Sequence, residues 1–139
     1  MKLYLLDTDT LSRHQREPLR FVARMQRLSP DQIAISVITV EEQLRGRLAK
    51  IRQAKTESEW QEGYYWLVKT LYWLGQYGIQ PYDAPASQAY ESLCRQRLRI
   101  GTQDLRIAAI ALSLNATVVT SNLKDFGQIA GLSIEDWTK

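Results

Sequence analysis

Apolar runs along this chain keep stopping at polar residues that can accept or donate hydrogen bonds. Leu3-Tyr4-Leu5-Leu6 is short and wholly apolar, and it ends at Asp7-Thr8-Asp9-Thr10. That pattern predicts a buried strand delivering a carboxylate to the end of a sheet. Gln32 to Val37 is β-branched and mostly apolar and predicts a second strand, Thr117 to Thr120 another, and Gly78 to Tyr82 a short one. Gly131 to Ile134 fits an edge strand before an anchoring Trp137. Thr10-Leu11-Ser12 leads into a charged stretch that ends at Pro18. Between the strands the period becomes helical. Leu19 to Met25 follows Pro18, which suits a first helical turn. A helix is expected from Thr39, where Thr39-Val40-Glu41-Glu42 has the T-x-x-E spacing of a capping box. Leu44, Leu48 and Ile51 continue its face. Gly46 lies inside it at a cost of about 1 kcal/mol relative to alanine, which points to close packing there. Further helices are expected over about 56–77, over 84–99, from Asp104 to Leu114, and briefly after Asn122.

Strands separated by helices argue for an α/β fold: a three-layer α/β/α arrangement around a central, mostly parallel sheet of about four to five strands. No linker, repeat or low-complexity segment interrupts the pattern, so residues 1–139 are expected to form one domain. In such sheets, sites form beyond the carboxyl ends of the strands. The long helix at 56–77 carries Trp60, Tyr64, Leu67, Leu71 and Leu74 on one face, with Tyr65, Trp66, Tyr72 and Trp73 beside or opposite. Its apolar girth exceeds a single stripe. Either it is buried on two sides within the chain, or its second face meets another chain.

Composition narrows the chemistry. The chain is 45% hydrophobic and 24% charged, as in an ordinary globular protein, with no apolar run long enough to span a membrane. The N-terminus has neither a basic flank nor a small-residue cleavage site, so no signal peptide is expected. Cys94 is the only cysteine, which removes intrachain disulfides and fits a reducing cytoplasm. His14 is the only histidine; it lies in a charged segment and is expected to be an ordinary surface residue. Cys–His metal sites and histidine-dependent triads therefore have no support. Neither GxxxxGK[ST] nor GxGxxG occurs. The net charge of +3 is compatible with a polyanionic substrate or an acidic partner. Any catalysis falls to carboxylates.

The acids stand where a site would form. Asp7 follows the first strand, Glu42 is expected in the first turn of the helix after the second, Asp104 heads the apolar helix before the last clear strand, and Asp125 follows that strand. Each also has a purely structural explanation. Carboxylates near helix N-termini gain typically 0.3–1 kcal/mol from the macrodipole. Glu42 could close a box with Thr39, Asn122 is a good cap three residues before Asp125, and Thr102 could cap the helix of Asp104. Together, acids converging on one sheet edge would repel unless a cation sat among them. Oxygen-only donors suit Mg2+ or Mn2+, and a hard cation held by carboxylates serves phosphodiester hydrolysis without histidine.

Four segments carry a resemblance. They are Leu5 to Asp9, Ser36 to Gly46, Asp104 to Ala111 and Val119 to Phe126, with Gly131-Leu132 through Asp136-Trp137 as a tail. In this order and spacing the chain resembles the PIN-domain ribonucleases of the VapC type, the toxin half of type II toxin–antitoxin pairs. The resemblance spans nearly the whole chain. It implies that Asp7, Glu42 and Asp104 are the core metal-binding acids, with Asp125 the fourth and Thr120 and Asn122 as supporting polar groups. Glu42 fits better than Glu41 because the family's glutamate stands four residues before the glycine. Asp9 replaces a common asparagine, so its role stays open between supporting ligand and bystander. The resemblance further implies an Mg2+- or Mn2+-dependent endoribonuclease, an RNA substrate, a homodimer, and a cognate antitoxin whose C-terminal segment blocks the site. Arg95, Arg97 and Arg99 are candidate phosphate contacts or a solvated helix face.

Two other readings compete. Asp7-Thr8-Asp9-Thr10 also resembles the D-x-D motif of haloacid-dehalogenase-type phosphohydrolases, with Asp7 as nucleophile and Asp9 as general acid/base. That motif expects Thr or Val where Leu11 stands, and only 19 residues follow Thr120. A PIN fold kept as a non-catalytic binding module is the other, although all four acids are retained.

Overall fold

The computed structural model describes residues 1–139. All five strands run parallel: β1 (Tyr4–Leu6), β2 (Ile33–Ser36), β3 (Gly78–Gln80), β4 (Thr117–Val119) and β5 (Ser133–Glu135), in the order β3-β2-β1-β4-β5. Register places Leu5 between Ala34 and Val118, and Leu6 between Ile35 and Val119. Successive strand side chains point to opposite faces. Leu5, Ala34 and Val118 therefore join one core and Leu6, Ile35 and Val119 the other. Both faces are covered, which is why the central strands read as unbroken apolar runs.

Seven α-helices supply the cover: α1 (Thr8–Arg16), α2 (Pro18–Met25), α3 (Val37–Arg52), α4 (Glu57–Leu74), α5 (Ala84–Arg95), α6 (Thr102–Leu114) and α7 (Leu123–Phe126). The first core takes Ala86 and Leu93 of α5, the fully buried run Ile107 to Ala111 of α6, and Phe126. The second takes Leu11, Phe21, Leu74 and Trp137, with Trp137 packed on Tyr4 at 5.4 Å between ring centres. The layers are thus helix, sheet, helix, and the edge strands β3 and β5 match the short strands read from the sequence.

Several expectations change. The charged stretch after β1 is α1, whose lone buried apolar anchor is Leu11 and whose cap is Asp7. The helix after β2 begins at Val37, two residues early, because Ser36 caps it. The helix begun at Ala84 ends at Arg95, and Arg97 takes a left-handed φ of 54°. His14 is no ordinary surface residue: Nδ1 sits 3.0 Å from the Tyr77 hydroxyl and the ring packs edge-on to Phe21, because α1 lies against α2 and the end of α4. Burial lowers its pKa.

The long helix is not buried on two sides within the chain. Gly63, Leu67, Thr70 and Leu74 face inward, while Trp60, Tyr64, Tyr65, Trp66, Leu71 and Tyr72 are exposed, Tyr72 by 75%. Nor is Gly46 a packing glycine. It is exposed, and an added Cβ would meet nothing within 4 Å. The close approach is at Gly63, where a Cβ would stand 2.9 Å from Ile51 Cγ1. Two substitutions should therefore act in opposite directions in urea unfolding. Gly46→Ala is expected to stabilise the protein by up to about 1 kcal/mol through helix propensity. Gly63→Ala is expected to lose that gain, or more, by forcing α3 from α4.

Candidate active site

The carboxyl ends of the strands meet four helix starts. Asp7 is one residue past β1, where its N–H donates to the Val119 carbonyl at 3.1 Å. Its Oδ1 accepts from the Thr10 N–H at 2.9 Å and caps α1. Only 3% of the residue is exposed. Burial raises its pKa, while hydrogen bonds from Thr120 and Thr10 pull the other way. Asp9, in the first turn of α1, is exposed.

The expected Thr39–Glu42 box does not form. The Thr39 N–H donates to Ser36 Oγ at 3.2 Å, so Ser36 is the cap. Because α3 begins at Val37, Glu42 lies past its first turn; it accepts from Thr8 Oγ1 at 2.6 Å, and Thr8 Oγ1 lies 3.0 Å from Thr39 Oγ1. Thr8 is the partner of Glu42 that sequence reasoning passed over. It sits 34 residues from Glu42, and no local pattern pairs them. Glu41 turns outward to Arg45 at 2.8 Å and accepts from Gln103 Nε2 at 3.0 Å, which ties α3 to α6.

Asp104 is the third residue of α6, whose N-cap is Gly101 with no side-chain bond, so Thr102 does not cap it. Its pKa is pushed up to about 6, first by burial and then by the charges of Asp7, Glu42, Asp9 and Asp125. Five acids therefore share one edge. Asp125 is held by Asn122 as expected: its N–H donates to Asn122 Oδ1 at 3.3 Å, and Asn122 Nδ2 donates to Asp125 Oδ2 at 2.9 Å. Thr120, fully buried, accepts from the Asn122 N–H at 2.9 Å.

The four best-formed clefts are lined by residues other than Asp7, Glu42, Asp104 and Asp125. No three carboxylates close into a cage for an ion, because Asp7, Glu42 and Asp125 are each turned onto a hydrogen-bond donor of the chain. The donor set itself, all carboxylate oxygen with repulsion concentrated on Asp104, fits a hard divalent cation. Arg95 ends α5, and Arg97 and Arg99 lie in the loop leading into α6; all three are exposed and free of ion pairs. Gln128 Nε2 reaches the Arg99 carbonyl at 3.5 Å, which links that loop to the segment after α7.

Asp104 gives this edge a measurable pH signature. The fold raises its pKa from an ordinary 3.8, so the folded state holds a proton that the unfolded chain releases. Stability from that proton is lost as pH rises from about 4 through 6. At pH 7.5 without divalent cations, Asp104→Asn should be the more stable protein by roughly 1 kcal/mol, after discounting for screening of a half-exposed group. Thermal melts across pH should show the difference closing near pH 4.

No family model matches the chain. It is 32% identical to Ribonuclease VapC1 of Haemophilus influenzae, covering 99% of both chains. It is 28% identical to the tRNA(fMet)-specific endonuclease VapC of Salmonella typhimurium, again over 99% of both. Its fold superposes on the structure of VapBC-1 from nontypeable Haemophilus influenzae with a TM-score of 0.77 at 26% identity, covering 99% of each chain. The DNA-bound VapBC structure from Salmonella typhimurium gives 0.76 at 27% identity, also over 99% of each chain. With full-length similarity in sequence and in a PIN-like fold, this chain belongs to the VapC ribonucleases, the toxin members of VapBC toxin–antitoxin pairs.

Proposed function

We propose that this VapC ribonuclease is an Mg2+- or Mn2+-dependent endoribonuclease in which Asp7, Glu42, Asp104 and Asp125 hold the metal. The supporting observation is the convergence on Asp104 of the charges of Asp7, Glu42 and Asp125, each carried by a different element of the fold. Bound among these carboxylates, a divalent cation lowers the pKa of water and offsets the charge that develops on a phosphodiester.

The chain's own residues prepare that edge. Asp7 is locked by the start of α1 and by burial, so its free oxygen has one direction. Thr8 orients Glu42, and Asn122 orients Asp125. Thr120 supports both Asp7 and the Asn122 turn. Asp9 adds negative charge from an exposed position and serves as an outer partner. Arg95, Arg97 and Arg99 lie on the approach to Asp104 and are read as phosphate contacts. The phosphohydrolase reading gains nothing from this geometry: Asp7 Oδ1 is tied to Thr10, and Asp104 would have no role. The substrate is RNA in the cytoplasm, with transfer RNA the first class to test, since one relative is named for it. The single domain would act as a homodimer, restrained by a cognate antitoxin whose C-terminal segment covers the acidic rim.

Asp7→Asn and Asp104→Asn should each lower RNA cleavage at least about 100-fold in Mn2+. Isothermal titration should show Mn2+ binding to the parent and not to the double variant; equal cleavage or equal binding sinks the assignment. Thr8→Val should weaken Mn2+ binding or activity by about 10–100-fold, as expected for a group that orients a ligand. Expression of the chain alone should slow growth, and Asp7→Ala should relieve it.

A further inference from the structure

Helices α1 and α3 run side by side in parallel, joined by a polar seam with a fixed offset. Thr8 faces Thr39 at 3.0 Å, and Gln43 Nε2 donates to Ser12 Oγ at 2.9 Å; both pairs are 31 residues apart. One turn further, the same offset sets Arg16 beside Arg47. Both arginines line a cleft of about 650 Å³ together with Lys69, Trp66, Tyr72 and Trp73. Arg47 Nε donates to Thr70 Oγ1 at 2.8 Å, and its guanidinium lies 5.3 Å from the centre of the Trp66 ring. Lys69 lies 5.7 Å from the centre of the Tyr65 ring. None of the three cations has an ion-pair partner, and no acid lines the cleft.

The seam begins with hydrogen-bonded pairs and ends in two like charges with no acid at ion-pair distance; the nearest acids, Glu59 and Glu62, line the adjoining cleft on the other side of Arg47 and Trp66. Gathered cations favour an anion between them. Unpaired cations with aromatic faces grip single-stranded nucleic acid, the charges taking phosphates and the rings stacking on bases. Position decides what kind of anion. Thr8, which holds Glu42, and Arg16 are eight residues apart on α1, roughly 12 Å of helix. A strand with its scissile phosphate at the acids would reach the cleft within a few nucleotides.

We infer that the cleft of Arg16, Arg47 and Lys69 with Trp66 and Tyr72 is an RNA subsite, holding at least two backbone phosphates and a stacked base a few nucleotides from the scissile bond. It rests on the assignment of RNA hydrolysis to the acids at the other end of the seam. An acidic peptide would meet the same charges, but the Trp66 and Tyr72 rings beside the cations match bases carried on a phosphate backbone.

The test uses the full chain carrying Asp7→Asn, titrated by fluorescence anisotropy with a short fluorescein-labelled single-stranded RNA of mixed sequence at several KCl concentrations. Adding Arg16→Gln and Lys69→Gln alters two exposed side chains and leaves Arg47 on Thr70. The pair should weaken binding about tenfold at low salt and flatten the log Kd against log salt slope by about 1.4, near 0.7 for each phosphate that is no longer neutralised. Trp66→Ala should weaken binding with the slope kept. With Asp7 restored, the paired substitutions should raise KM for RNA cleavage by a similar factor. Equal melting temperatures show that folded proteins are compared, and Arg16→Gln alone, with half the slope change, serves if the pair does not fold. Unchanged RNA affinity and slope overturn the subsite, including the case in which only binding of an acidic peptide is lost. Cleavage surviving in Asp7→Asn itself would overturn the catalytic assignment instead, a different result in a different assay.

Discussion

Like charges repel, and this chain gathers Asp7, Asp9, Glu42, Asp104 and Asp125 on one edge of a small sheet. Much of the local structure holds carboxylates against that repulsion. Asp7 is fixed by the N-terminus of α1, Glu42 by the Thr8 hydroxyl, and Asp125 by the Asn122 amide. Asp104 has no such tether and bears the repulsion as a raised pKa. The tethers also explain why the carboxylates do not close on one another: each oxygen already bonded to a donor is held at a set direction. The repulsion is a cost to stability that any ion binding the folded state at this edge would offset.

The rest of the fold serves to keep four helix starts at that edge. Strands of three or four residues give little sheet area, so the helices carry the burial. The run Ile107 to Ala111 is fully buried because α6 is sandwiched between the sheet and α5, and this pins its first turn, with Asp104, at the rim. The Gln103–Glu41 bond then joins α6 to α3 across the outside of the acids.

The α1–α3 seam links this acidic end to a basic one. A constant offset of 31 residues carries the pairing from Thr8–Thr39 through Ser12–Gln43 to the two arginines. Negative charge at the helix starts also suits the macrodipole, as do cations near the helix ends. In α1 the same arrangement suits the helix, with Asp9 in its first turn and Arg13 and Arg16 in its last, and along both helices it lays a charge gradient on one face of the protein.

The sequence by itself determined the layers and the strand segments, and it marked the acids whose charges the fold brings to bear on Asp104. Apolar runs of strand length, each followed by a helical period, leave few other solutions, and Leu3 to Asp7 already marks a strand ending in a carboxylate. It read less well where a residue's role depends on a partner far along the chain. Thr39 looked like a cap because Glu42 stands three residues on, yet Ser36 takes the cap and Thr8 takes Glu42. Gly46 looked like a close contact, whereas Gly63 is the contact, because which face of α3 meets α4 follows from how the hairpin docks. The girth of α4 was legible in its aromatics, but their exposure was not. Period and composition are local properties; the direction of a side chain across a gap is set only when two elements pack, and tertiary structure alone decided that.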